Sequence, residues 1–241
     1  MDKALRQHLE MADFFTGFLV RGTEPSAQPE PPQAHPAEAP RQGREEDPSD
    51  LNALSRAIAG CRKCELCQTR AHTVPGEGAA RAGIMLVGEA PGADEDAQGR
   101  PFVGRAGQLL DKILQACGLD RDQVYIANIL KCRPPGNRDP HADEIVRCLP
   151  YLTRQIDLIQ PDIIIALGAH AARTLLNTNE SIGRLRGRIH MYPNGPDRPP
   201  IKLMATYHPA YLLRYYTQEN RRHVWEDMKK AMAEIGRPVR S

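Results

Sequence analysis

Hydrophobic positions beyond residue 80 gather into four short, nearly continuous runs. They are Ile84-Met85-Leu86-Val87, Val124-Tyr125-Ile126-Ala127, Ile163-Ile164-Ile165-Ala166-Leu167 and Ile201-Lys202-Leu203-Met204-Ala205. A strand exposed on one face alternates apolar and polar residues, whereas runs like these are the mark of parallel strands buried on both faces. Between and after them, apolar residues recur at helical spacing over about 104–117, 141–159, 169–177 and 218–235. Asp50 stands where it can cap a further helix over Leu51 to Ala59. This alternation predicts an α/β fold, a three-layer α/β/α sandwich around a central four-stranded parallel sheet.

The first fifty residues do not share the pattern. Residues 22–50 contain seven prolines among Ala, Gln, Glu and Ser, too little apolar surface to form a core, and read as a disordered linker. The linker separates a globular domain at 51–241 from a candidate docking helix at 1–21, in which Leu5, Leu9, Ala12 and Phe15 lie at helical spacing. Within it, His8 to Phe15 resembles a sliding-clamp-binding box over residues 3–20, with His8 where that box has Gln. An amphipathic helix packing on its own domain is the alternative. The two regions differ in charge: residues 1–50 hold 5 Lys/Arg against 10 Asp/Glu, and the rest hold 27 against 20. A basic domain behind an acidic tail suits a polyanionic partner such as nucleic acid. No apolar run approaches the roughly 20 residues of a membrane span, and the N-terminus lacks a secretory apolar stretch, so a cytoplasmic, nucleoid-associated monomer is expected.

Cysteine narrows the chemistry. In a reducing compartment six cysteines are not expected to form disulfides, and Cys61-Arg62-Lys63-Cys64 has the C-x2-C spacing of a metal-binding loop. With Cys132 and Cys148 it supplies four thiolates, enough to close one tetrahedral site, for which zinc and an iron-sulfur cluster both qualify. Cys67 extends the pair to C-x2-C-x2-C and is set aside as a non-ligand, as is Cys117, which ends a helical pattern as a small buried residue. A second concentration follows the strands: Gly88-Glu89-Ala90-Pro91-Gly92, Asn128-Ile129-Leu130-Lys131 and Thr206-Tyr207-His208-Pro209 each begin where a strand ends. Ligands of open α/β sheets bind beyond the carboxyl ends of the strands, so Glu89, Asn128 and His208 should meet.

Gly88 to Asp111, Asn128 to Pro140 and His208 to Arg214 resemble the motifs of family 4 uracil-DNA glycosylases, the iron-sulfur branch of their superfamily. The likeness covers about residues 51–236. It implies a monofunctional enzyme that flips uracil out of DNA, hydrolyses the N-glycosidic bond and leaves an abasic site for base excision repair. It implies a [4Fe-4S] cluster on Cys61, Cys64, Cys132 and Cys148, with zinc the competitor. It implies that His208 stabilises charge on the departing base, that Glu89 activates water, and that Asn128 reads the base. Phe102 stacks on the flipped ring, and the backbone of Gly88, Glu89 and Ala90 lines the pocket. Leu212 and Leu213 are then the DNA wedge and Arg214 a phosphate contact, with a buried helical turn as the competing reading; Arg184, Arg186 and Arg188 are further phosphate candidates. His170 receives no role. The alternatives are a noncatalytic DNA-binding iron-sulfur module of the same fold and a neighbouring glycosylase branch of broader base specificity.

Overall fold

A computed structural model describes residues 50–195 and 198–239. The candidate docking helix and all of the linker but Asp50 lie outside the described residues. The four apolar runs form β2 (Ile84–Gly88), β3 (Tyr125–Asn128), β4 (Ile163–Leu167) and β6 (Ile201–Thr206). They pair in parallel in the order β3-β2-β4-β6. All residues of β2, β3 and β4 are buried, which is why those runs show no alternation. The sheet is wider than the pattern predicts. Two short antiparallel strands, β1 (Glu77–Gly78) on β3 and β5 (Ile189–Tyr192) on β6, extend it to six strands. Neither contains a fully buried residue. An edge strand is covered on fewer sides and needs no continuous apolar run, so hydrophobicity alone did not reveal them.

Helices cover both sides. α4 (Ala142–Ile159) and α5 (Ala169–Leu176) bury Leu152, Ile156, Ala171 and Leu175 against Met85, Val87, Ile164 and Ala166. α1 (Leu51–Ala59), capped by Asp50 Oδ1 on the Ala53 amide at 2.7 Å, packs on α4. Successive strand residues point to opposite faces, so Ile84, Leu86, Ile163 and Ile165 serve the other layer. Outside the sheet, α3 (Arg105–Ala116) packs on α7 (Pro209–Arg214), and α8 (Gln218–Glu234) lies against β6. The short α2 (Ala93–Gln98) and α6 (Ile182–Leu185) complete the order. No described helix is long and apolar enough to cross a membrane.

One buried ionic contact locks α8 to the end of β6. Asp227, 1% exposed, accepts from Thr206 Oγ1 at 2.8 Å, from Arg186 Nε at 3.0 Å and from Arg186 Nη2 at 2.9 Å. Arg186 also donates to the His223 carbonyl at 2.9 Å. This corrects the reading of Arg186 as a phosphate contact: its guanidinium is used inside the domain. Arg188 pairs with Glu180 at 3.3 Å. Thr206 stands two residues before His208, so the contact fixes the strand end that presents that histidine. Asp227→Ala leaves a buried guanidinium without its counter-charge, and denaturant unfolding is expected to show a loss of about 3 kcal/mol.

Candidate active site and cysteine centre

The strand ends converge. Glu89, Asn128 and His208 line one open cavity of ≈ 540 Å³, together with Phe102, His170 and Arg214. Backbone pairing continues past the strands: the Ile129 amide donates to the Gly88 carbonyl at 2.9 Å and the Leu130 amide to the Glu89 carbonyl at 3.0 Å. Glu89 and Asn128 are therefore held side by side by main chain. Gly88 faces Asn128 in the register. A Cβ on Gly88 would collide with Asn128 Oδ1 and lie 2.6 Å from Phe102 Cζ, so only glycine lets the amide and the ring approach.

Phe102 holds a left-handed backbone, φ 52°, which is strained for an aromatic residue. Its surroundings impose it. Arg121 donates to the Phe102 carbonyl at 3.1 Å and to the Pro101 carbonyl at 2.7 Å, while its own charge pairs with Glu77 and Asp111. Glu95 accepts from the amides of Val103 at 2.9 Å, Gly104 at 3.0 Å and Gly92 at 3.1 Å, joining the loop after β2 to the loop carrying Phe102. Neither Arg121 nor Glu95 stood out in the sequence, since each acts by holding main chain. The Phe102 ring ends 5.6 Å from the His208 ring, tilted by 30°.

His208 caps α7, its Nδ1 accepting from the Ala210 amide at 3.1 Å. An Nδ1 used as acceptor places the proton on Nε2, so the ring is a neutral donor. Burial, with the Arg214 charge adding to it, pushes its pKa down to about 4. Asn128 is 2% exposed, and among the described residues its Oδ1 has no hydrogen-bond partner. A buried acceptor left unpaired costs about 1–3 kcal/mol, so this atom is poised to receive a donor. Burial pushes the Glu89 carboxyl above its usual range; His170 opposes this, Asp139 adds to it and Arg214 opposes it again.

His170 enters the site unforeseen. Its Nε2 lies 4.0 Å from Glu89 Oε2 and 3.6 Å from Asp139 Oδ2. The signal was its position directly after β4, on the rim where the other three strands present Glu89, Asn128 and His208. The segment read as a wedge divides. Arg214 lines the cavity, whereas Leu212 is 0% exposed and packs inside the domain. That overturns Leu212 as a residue entering the base stack: its side of α7 is needed for the core. Leu213, half-buried, is not among the cavity-lining residues.

In a second, small pocket, Cys61, Cys64, Cys67, Cys132 and Cys148 stand together with Arg70 and Lys131. Cys117 lies elsewhere, at the end of α3, its thiol pushed up to about 12 by burial. Two donors address the sulfurs: Arg70 Nη1 to Cys132 Sγ at 3.0 Å and the Lys131 amide to Cys148 Sγ at 3.2 Å. Burial raises the Cys64, Cys132 and Cys148 thiols, the last to about 11, while Arg70 opposes the rise at Cys132 and Lys131 opposes it at Cys148. Among the described residues, the group of three or more ligand atoms lying within 4.8 Å of one another is Glu89, Asp139 and His170. Several thiols lining one pocket, two of them met by N–H donors, are a donor set that fits a thiolate-bound metal centre.

The family model described as uracil DNA glycosylase superfamily matches residues 75–229. A type-4 uracil-DNA glycosylase of Sulfurisphaera tokodaii is 46% identical over 185 residues, covering 75% of this chain and 82% of that protein. One from Archaeoglobus fulgidus is 44% identical over 184 residues, covering 75% and 90%. The chain belongs to the type-4 uracil-DNA glycosylase family. A type-5 enzyme of Pyrobaculum aerophilum is more distant, 33% identical over 156 residues and 58% of this chain. The matched span contains the whole cavity rim, from Gly88 to Arg214.

The neutral histidine has a measurable signature. Its pKa falls from 6.5 unfolded to about 4 folded, so between those values the unfolded chain binds the proton that the folded one refuses. Stability is therefore full above pH 6.5 and declines as pH drops toward 4. His208→Gln removes this contribution, and denaturation midpoints across that window are expected to fall less steeply in the variant than in the parent.

Proposed function

We propose that this protein hydrolyses the N-glycosidic bond of deoxyuridine in DNA, releasing uracil and leaving an abasic site. The observation that carries the reading is the unpaired, buried Oδ1 of Asn128, which shares one cavity with the Phe102 ring and His208. Uracil fills these requirements together. Its N3–H donates to Asn128 Oδ1, its O4 accepts from Nδ2, and its O2 accepts from His208. Cytosine has no N3–H and carries an amine at the O4 position, so it leaves Oδ1 unpaired and sets Nδ2 against another donor. The base reaches the cavity only after leaving the duplex, at a cost of a few kcal/mol, and Phe102 restores stacking to it there.

Bond cleavage leaves positive charge on the sugar and negative charge on the base. His208 acts on the base: as a neutral donor it strengthens its hydrogen bond to O2 as the anion develops, preorganised by the Ala210 amide. Glu89 acts on the sugar side, orienting the water that adds hydroxide to C1′ and taking up its proton, while the uracil anion leaves and takes a proton from solvent, to which Glu89 returns the one it accepted. Arg214, exposed at the cavity edge, contacts backbone phosphate. No lysine nucleophile is required. Cys61, Cys64, Cys132 and Cys148 would hold a [4Fe-4S] cluster, which supplies a cross-link among three segments of chain.

A uracil-containing oligonucleotide treated with the protein and then with alkali is expected to break at the uracil; an intact strand refutes the enzymatic reading in favour of a binding module. His208→Gln should slow single-turnover cleavage by roughly 10²–10³-fold. Because only ionised Glu89 accepts a proton, the rate should fall on the acid side with a midpoint above the ordinary 4.5. That limb should vanish in Glu89→Gln, at a rate lower by roughly 10²-fold or more.

For the cysteine centre, the purified protein should be brown, absorbing near about 400 nm, which zinc does not. Cys148→Ser should lose bound iron and Cys67→Ser should keep it. The reverse pattern would assign the fourth ligand to Cys67.

A further inference from the structure

Four of the chain's seven tyrosines fall within ten residues: Tyr207, Tyr211, Tyr215 and Tyr216. The first three recur at every fourth position, from the turn after β6 along α7 to the residue that ends it. Residues four apart on a helix are neighbours, and here their rings stack. The ring centroids of Tyr207 and Tyr211 lie 4.9 Å apart, tilted by 31°, and those of Tyr211 and Tyr215 lie 4.9 Å apart, tilted by 42°. Three rings thus form one column.

The column starts at the candidate active site and ends in solvent. Tyr207 and Tyr211 line the cavity that holds Glu89, Asn128 and His208, whereas Tyr215 lies beyond that lining and is 58% exposed. Both ends are held. Arg186, whose guanidinium Asp227 fixes, lies over the Tyr207 ring at 5.6 Å. The Tyr215 amide donates to the Tyr211 carbonyl at 2.9 Å, and the Tyr215 carbonyl accepts from the Thr217 amide at 3.0 Å and from Asn220 Nδ2 at 2.9 Å. The outermost ring therefore stands in water on a main chain bonded at both its N–H and its carbonyl, so little backbone freedom is lost when something packs on it.

A single exposed ring needs no explanation. This one continues a stack that leads out of a cavity, and beside it Arg214 is an exposed cation on the cavity edge. Arg184, on the short α6 whose Ile182 also lines the cavity, is a second exposed cation. Aromatic faces bordered by arginines are what binds unpaired nucleic acid: bases stack on the rings and phosphates meet the charges, whatever the sequence. When uracil leaves its strand, the face of the neighbouring base is laid bare. In an unpaired strand that base is free to turn onto the column, whereas in a duplex it is held by its partner.

We infer that Tyr215, backed by Tyr211 and Tyr207, is a stacking platform for the base next to the extruded uracil on the same strand, giving the protein a grip on single-stranded DNA that duplex DNA lacks. This role rests on the proposed reading of the cavity as a uracil site and adds to it the strand form that the site accepts.

The test uses the full chain and one DNA sequence in single-stranded and paired form, with a tetrahydrofuran abasic site in place of deoxyuridine. Tyr215→Ala is expected to weaken binding of the single strand about tenfold and of the duplex less than about threefold, while Tyr215→Phe, which keeps the ring, stays within about twofold of the parent on both. Equal losses on the two strand forms, or Tyr215→Phe as damaging as Tyr215→Ala, overturn the inference. So does Tyr215→Ala matching the parent on the single strand, which leaves the exposed ring to a protein partner. A second measurement needs no variant: 2-aminopurine, placed 5′ of the abasic site in one single strand and 3′ in another, should be quenched at one of these positions when the parent binds. Absence of quenching at both overturns the inference. The same sequence carrying deoxyuridine separates the two readings. A parent that cleaves neither strand form removes the glycosylase reading and the platform with it; cleavage by the parent, with Tyr215→Ala binding the single strand equally well, overturns the platform alone.

Discussion

The site depends on one register. β2 and β3 pair in parallel so that Gly88 lies opposite Asn128, and main-chain bonds carry the pairing on to Glu89 and Leu130. Where two strands end together, side chains ordinarily fill the gap between them. Here the missing Cβ of Gly88 leaves a slot, and the Asn128 amide and the Phe102 ring close in on it. A slip of one residue would turn Asn128 to the opposite face of the sheet and put a side chain into the slot.

Around this slot the protein sets opposite electrostatic conditions within one cavity. His208 is held neutral by burial and by Arg214, with its proton directed outward by the amide it caps. Glu89 is raised by burial, with His170 and Arg214 opposing the rise. In the proposed reaction, His208 serves the end of the bond where the base turns anionic and Glu89 the end where the sugar turns cationic. Arg214 contributes to both, lowering each pKa, because a fixed positive charge favours an anion and disfavours a second cation.

Much of the remaining structure holds these groups still. Glu95 and Arg121 bind the main chain on either side of Phe102 and sustain its strained backbone. Asp227 fixes Thr206 before His208. The peptide from Asn128 to Cys132 has the buried amide of the slot at one end and a cysteine of the second pocket at the other, with Lys131 bonded in both directions. Charged residues in this protein are therefore often interior braces. Arg186 shows why charge count is a poor guide to the DNA-binding surface: its guanidinium is spent on Asp227.

The chain's pattern determined the four parallel strands, the main helices and the rim on which chemistry collects, because burial on both faces forces continuous apolar runs and a parallel sheet presents its strand ends on one side. It also determined the glycine and the amide of the slot, whose motifs are local. Tertiary structure alone decided the rest. The two edge strands leave no hydrophobic signature because they are only partly covered. Leu212 turns inward and Arg214 outward by their places on one short helix, which packing against α3 orients. His170 meets Glu89 and Asp139, and Lys131 meets Asn128 and Gln155, across contacts that spacing does not encode. Burial, charge and the direction of a hydrogen bond depend on neighbours distant in the chain, and those exist only once the sheet has formed.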